Sequence, residues 1–112
     1  MTGAMDVAVR DNRDATRFEA AVDGQVAVVE YNLIKDGIVV AHTEVPSPLE
    51  GRGIAGRLFA AVIATARHEA RRVIPVCPVF ALWLRRHPET HDVIDPSYRH
   101  ALGLPPVAAP GG

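Results

Sequence analysis

Apolar and polar positions change period once along this chain, near residue 50. Before it, short apolar runs sit between turn signals, as strands do. Val7–Arg10 reads as a short strand that ends at the turn-rich cluster Asp11-Asn12-Arg13-Asp14. Arg17–Val22 alternates weakly, Asp23-Gly24 is a hairpin signal, and Gln25–Leu33 follows, rich in Val and Tyr. Lys35-Asp36-Gly37 supplies the next turn and Ile38–Val45 the next strand. Strict alternation puts Ile38, Val40, His42 and Glu44 on one face of that strand, and Val39, Ala41, Thr43 and Val45 on the other. Pro46-Ser47-Pro48 breaks it. Beyond the break, Ile54, Leu58, Val62 and Ala66 recur at i, i+4, with Ala55, Phe59 and Ile63 beside them, so an amphipathic helix runs to about Glu69. Arg72–Cys77 is a short apolar strand. Pro78 opens a second helix through about Arg86, and His87-Pro88 closes it.

The order is therefore β-β-β-β-α-β-α. A strand–helix–strand unit takes a right-handed crossover, which makes strand 72–77 parallel to strand 38–45. The expected fold class is α+β (mixed α/β): a mixed sheet of about five strands with two main helices. A chain of 112 residues suits one domain. That domain is read as residues 1–103, and the Pro- and Gly-rich segment 104–112 as a mobile tail.

Composition narrows the class of partner. The formal net charge is −1, so the chain as a whole is not suited to nucleic acid or to a membrane surface. Its charge is uneven, however. Residues 1–49 carry 4 basic and 8 acidic groups and residues 50–112 carry 8 basic and 5 acidic. The second half favours an anionic ligand. The one cysteine, Cys77, forbids an internal disulfide and fits a reducing cytoplasm. No apolar run approaches the ~20 residues of a membrane span.

The half that favours anions opens with Glu50-Gly-Arg-Gly-Ile-Ala-Gly-Arg57. Glycines admit a ligand close to the backbone, and the first helical turn offers unpaired N–H groups and a positive dipole end. Gly51-x-Gly53-x-x-Gly56 matches the dinucleotide fingerprint, but the acid required about 20 residues on is missing at Val76-Cys77-Pro78. No Gly-Lys-Ser/Thr occurs, which excludes a Walker A loop.

Glu50-x-x-Gly53-x-Ala55 resembles the pyrophosphate loop Q/R-x-x-G-x-G/A of the GCN5-related N-acetyltransferases. His42-Thr-Glu-Val-Pro46, Val76-Cys-Pro78 and Arg86-His-Pro-Glu89, in this order around the loop, resemble more narrowly a small acetyltransferase-like family of about 90–110 residues. The resemblance spans residues 7 to about 95. It implies an acetyl-CoA co-substrate, an amine acceptor of unknown identity and no metal. It places the pantetheine arm between strands four and five, against backbone around His42–Val45, with the pyrophosphate on Arg52, Gly53, Ile54, Ala55, Gly56 and Arg57. Two departures stand out. Glu50 puts an acid where the family has Gln or Arg, and the last strand pair of longer acetyltransferases is absent. A homodimer would supply the missing wall of the acceptor pocket and cover the sheet edge.

Acetyl transfer to an amine needs a base for the amine and a proton for the departing thiolate. His42 and Glu44 are the base candidates; the alternatives are a structural histidine and a solvated strand-end charge. Cys77, before a helix start, is either nucleophile, acid or a small buried hydrophobe. The following helix, Val79–Arg86, has no tyrosine to act as acid. Arg52, Arg57 and Arg86 are either phosphate partners or a solvated surface. His87, His91 and His100 form no convincing metal set, with Pro88 interrupting the first two.

Overall fold

Side chains and two-residue turns set the register of an antiparallel meander. The structure, a computed structural model, describes residues 7–105. Within it, β1 (Val9–Asn12), β2 (Arg17–Val22), β3 (Gln25–Ile34) and β4 (Gly37–Glu44) pair antiparallel in chain order, and β5 (Arg72–Pro75) joins β4 in parallel. Asp23 and Gly24 turn β2 into β3 with φ of 51° and 78°, the left-handed pair that a tight hairpin of this hand requires. Lys35-Asp36 turns β3 into β4, with Ile34 opposite Gly37. Gly37 is a strand residue rather than part of the turn. A Cβ there would stand 2.9 Å from the Ile34 side chain.

β1 lies two residues later than the hydrophobic pattern predicts. Asp11 and Asn12 belong to it because their side chains are bonded across the sheet. The Tyr31 hydroxyl donates to Asp11 at 2.6 Å, and Asn12 Nδ2 donates to Glu19 at 3.0 Å. β5 is shorter than predicted, since the N–H groups of both Val76 and Cys77 turn to the Val40 carbonyl. The segment 106–112 of the expected tail lies outside the described residues.

α1 (Ile54–His68) and α2 (Pro78–Arg85) cover one face of the sheet. Leu58, Phe59, Val62 and Ala66 of α1 meet Phe18, Ala27, Val29 and Tyr31 in one buried cluster with Phe80 and Leu84 of α2. The Phe59 ring ties the helices together, at 4.9 Å from Phe80 and 5.5 Å from Trp83. After α2 the chain runs through short 3-10 turns, for which the hydrophobic pattern gives no signal. Ile94 bridges to Val73 and the Asp95 N–H donates to the Val73 carbonyl at 2.9 Å. The chain's own return thus meets the outer edge of β5 at this point. Among the described residues no helix is long and apolar enough to cross a membrane.

The parity of β4 is not the one strict alternation predicts. Tyr31 pairs with Val40 but Glu30 with His42, so Ala41 is an extra residue in a bulge. Beyond it the faces exchange. Thr43, opposite buried Val29, takes the helix side, while His42, opposite exposed Glu30, takes the bare side. His42 and Glu44 therefore do not share a face with Ile38 and Val40.

Burial, and then the hydrogen bond to Asp11, push the Tyr31 phenol up to about 12 from 10.0. The folded state holds this proton more tightly, so its contribution to stability is complete below pH 10 and is lost as pH rises towards 12. Tyr31→Phe is expected to lower stability by about 1–2 kcal/mol at neutral pH and to remove this alkaline component. Urea unfolding at pH 7 and across pH 9–12 measures both.

Candidate functional site: a glycine loop beside a splayed strand pair

The loop is built by prolines, one buried leucine and two left-handed glycines. Ser47–Leu49 forms a 3-10 turn begun by Pro46, and Leu49 anchors it in the core. Glu50 is extended, and Gly51 and Gly53 have φ of 78° and 77°. A side chain at either would be strained although space is open. Gly53 caps α1 without a side chain, no acid sits in the first turn, and Ile54 is buried beneath it. The first intrahelical bond, from Arg57 N–H to Gly53 carbonyl, is 3.3 Å long. The N–H groups of Ile54, Ala55 and Gly56 precede it and have no helical partner. Ile54 and Ala55 border a cavity of about 170 Å³ lined also by Val45, Leu49, Glu50, Gly51 and Gly53.

Beside the loop, β4 and β5 part. Their ladder ends at Val40 opposite Pro75. The Val40 carbonyl then takes the N–H of Val76 at 3.1 Å and of Cys77 at 2.9 Å. From His42 to Glu44, β4 is paired with β3 alone, and every second peptide there turns its polar groups to the open side. A second cavity, of about 350 Å³, lies along this edge. Thr43, Glu44, Val45, Glu50, Ala55 and Val79 line it, so it shares Val45, Glu50 and Ala55 with the loop cavity.

The candidate residues divide between this groove and its surroundings. Val45, Gly53, Ile54 and Ala55 line the groove, and Glu44 stands on its wall. His42 is exposed, with Nε2 at 3.5 Å from Glu44 Oε2. Cys77 is only 3% exposed and lies 3.3 Å from the Thr43 hydroxyl, across the split between the strands. The bulge separates these groups: Thr43 and Cys77 belong to the helix side, His42 and Glu44 to the other. Arg52 is drawn from the loop to Asp23 of the β2–β3 turn, at 2.9 Å. Arg57 is exposed and makes no ion pair among the described residues. Gly56 faces Trp83, whose Nε1 would be 3.5 Å from a Cβ at that position. Among the described residues no three His, Cys, Asp or Glu side chains gather as a metal set.

Sequence reasoning missed Thr43 as a site residue, because strict alternation put it on the wrong face. It also missed Val79 and Trp83, whose places depend on how α2 docks.

This arrangement has relatives. A family profile described as GCN5-related N-acetyl-transferase matches residues 17–93. Among solved structures, the chain is similar to a “GCN5-like putative N-acetyltransferase” from Staphylococcus aureus, with a TM-score of 0.65 and 22% identity over 85% of this chain and 91% of that one. No curated protein matches the chain. The matched profile takes in β2 through the turn after α2, which includes the glycine loop and both splayed strands, and on that match the chain belongs to the GCN5-related N-acetyltransferase family.

Proposed function

We propose that this protein binds acetyl-CoA in the split between β4 and β5 and transfers the acetyl group directly to an amine. The observation that carries the reading is the open β4 edge running into the uncapped first turn of α1. One offers peptide groups to the amides of a pantetheine arm, as in strand addition. The other offers N–H groups and a helix dipole to a pyrophosphate. Arg52 and Arg57 stand near enough to add charge, Arg52 by leaving Asp23. A cytoplasmic setting suits the free thiol of Cys77.

In the transfer the amine nitrogen bonds to the thioester carbon, the C–S bond breaks, the amine loses a proton and the coenzyme sulfur gains one. Glu44, on the groove wall and hydrogen-bonded towards His42, is the proton acceptor of this proposal, with His42 as the relay to solvent. The Cys77 thiol, held by Thr43, is the proton source for the departing sulfur. Its burial favours this part over a covalent acyl-enzyme.

A second reading is a CoA-binding module without turnover. Glu50 favours it, since its residue lines both cavities and brings a carboxylate to an anion site. Loss of the acetyl group across a panel of small amines, polyamines and lysine peptides supports transfer; binding with no loss supports the module.

Acetyl-CoA at about 100 times its Kd adds about 2.7 kcal/mol to folded stability. The melting temperature should then rise by several degrees, as read by differential scanning fluorimetry, and no shift at millimolar ligand rejects acetyl-CoA binding.

Gly53→Ala forces a side chain into φ 77°. It is expected to cost about 1 kcal/mol of stability and to weaken acetyl-CoA binding about tenfold by misaligning the first-turn N–H groups, measured by titration calorimetry.

Intact mass after incubation with acetyl-CoA should leave the protein unmodified. An added acetyl group that disappears in Cys77→Ala would replace direct transfer with a covalent intermediate.

A further inference from the structure

Among the described residues, the exposed large apolar side chains fall into two groups. Val26, Leu33 and Ile34 sit at the two ends of β3, beside its turns. Val76, Val79 and Leu82 instead recur at intervals of three, from just after β5 onto α2, and are 56%, 54% and 45% exposed. Phe80 and Leu84 turn the inner face of α2 to the core. At about 100° per residue, Val79, Leu82 and Arg86 share the outer face. That face is apolar for one turn and then basic. Arg85 and Arg86 are exposed and make no ion pair among the described residues. It begins at the groove, because Val79 lines the same cavity as Glu44 and Glu50.

We infer that the outer face of α2 carries the acceptor, and that the acceptor is a peptide N-terminus followed by an apolar and then an acidic residue. The inference rests on the acetyl-transfer reading above. A pantetheine arm fills the split, so only the amine of an acceptor enters it and the body lies outside. Glu50 and Glu44, with His42 beside it, give the groove mouth a negative charge that suits a cationic amine. The face that leaves this mouth offers Val79 and Leu82 to an apolar side chain and Arg86 to a carboxylate. From Val79 to Arg86 the helix rises about 10 Å, the length of about three extended residues. Amine, apolar side chain and carboxylate therefore match the face in that order. The choice of an α-amine follows from exposure. His42 and Glu44 meet the amine in contact with water, their side chains 54% and 75% exposed, so the neutral amine comes from the acceptor's own equilibrium. An α-amine ordinarily titrates at about 8, whereas a lysine holds its proton to about 10. In the transfer the α-nitrogen bonds to the acetyl carbon, the amine proton passes to Glu44, and the coenzyme sulfur leaves and takes a proton from Cys77.

The experiment follows thiol release from acetyl-CoA with C-terminally amidated tripeptides and with glycinamide, which has the amine and no body. Gly-Leu-Glu-amide should exceed glycinamide in kcat/KM by about tenfold, as a partly buried leucine predicts, and should also exceed Gly-Ser-Glu-amide and Gly-Leu-Lys-amide. Leu82→Ser should abolish the advantage of leucine over serine. Arg85→Glu combined with Arg86→Glu should reverse the order of the Glu and Lys peptides, by about threefold in each direction, in the range of exposed ion pairs. A merely structural role for these side chains would not exchange one preference for the other. All three are exposed, and acetyl-CoA binding by calorimetry should stay within about twofold of wild type, as for surface substitutions in general. Equal use of glycinamide and every peptide overturns the acceptor face. So does a change of oligomeric state in Leu82→Ser by sedimentation, which would give the face to a second copy. A peptide with a blocked N-terminus and lysine in place of the glycine should be the poorer acceptor, and a better one overturns the α-amine. If the wild type binds acetyl-CoA yet acetylates none of these amines, the transfer reading itself has failed and the acceptor face falls with it.

Discussion

The carbonyl of Val40 accepts the N–H groups of both Val76 and Cys77, at 3.1 and 2.9 Å, and from that point β5 no longer follows β4. A regular parallel ladder turns only every second N–H to its neighbour and gives each of these a new carbonyl. Two donors on one acceptor leave the peptides beyond Val40 without a partner on that side. Buried peptide groups of this kind are costly unless something else satisfies them. The split is affordable because it opens to solvent and because Pro78 starts α2 at once, with the Ala81 N–H closing on the Cys77 carbonyl at 2.9 Å. The groove, the exposure of the β4 edge and the place of Cys77 at the start of a helix all follow from this one shared acceptor.

The bulge at Ala41 decides which chemistry the groove receives. Without it, His42 and Glu44 would point into the core beneath the helices, where a charged pair would lack water. With it, they face solvent beside the groove, and Thr43 turns inward to meet the Cys77 sulfur. One additional residue in one strand thus separates a dry hydroxyl–thiol pair from a wet imidazole–carboxylate pair on a strand only a few ångströms thick.

Much of this architecture could be read from residue order, because its signals are local. Asp23-Gly24 demands positive φ, the spacing from Ile54 to Ala66 has only one helical face to bury, and the crossover rule fixes β5 as parallel. The glycine loop was legible for the same reason, as two of its glycines adopt conformations that other residues resist. The bulge was not legible. Ile38-Val39-Val40-Ala41-His42 carries no glycine or proline to mark a break, and the extra residue is imposed by how β3 registers against β4. The contact of Trp83 with Gly56 joins residues 27 positions apart and depends on the packing of two helices, so no spacing rule could supply it. β1 was displaced in the sequence reading because Asp11 and Asn12 have turn-forming composition, while here their side chains serve the sheet.

Arg52 rests on Asp23 across the surface, with both side chains exposed. Such a pair holds little free energy, about 0–1 kcal/mol, and an anion arriving at the loop competes with it on nearly level terms. Recruitment of Arg52 is then an exchange of counter-ions rather than a gain of a new one. The glycine loop and the β2–β3 hairpin share a single cation. If an anion at the loop drew Arg52 away, as the proposed function has it, Asp23 at the hairpin tip would be left without its counter-ion.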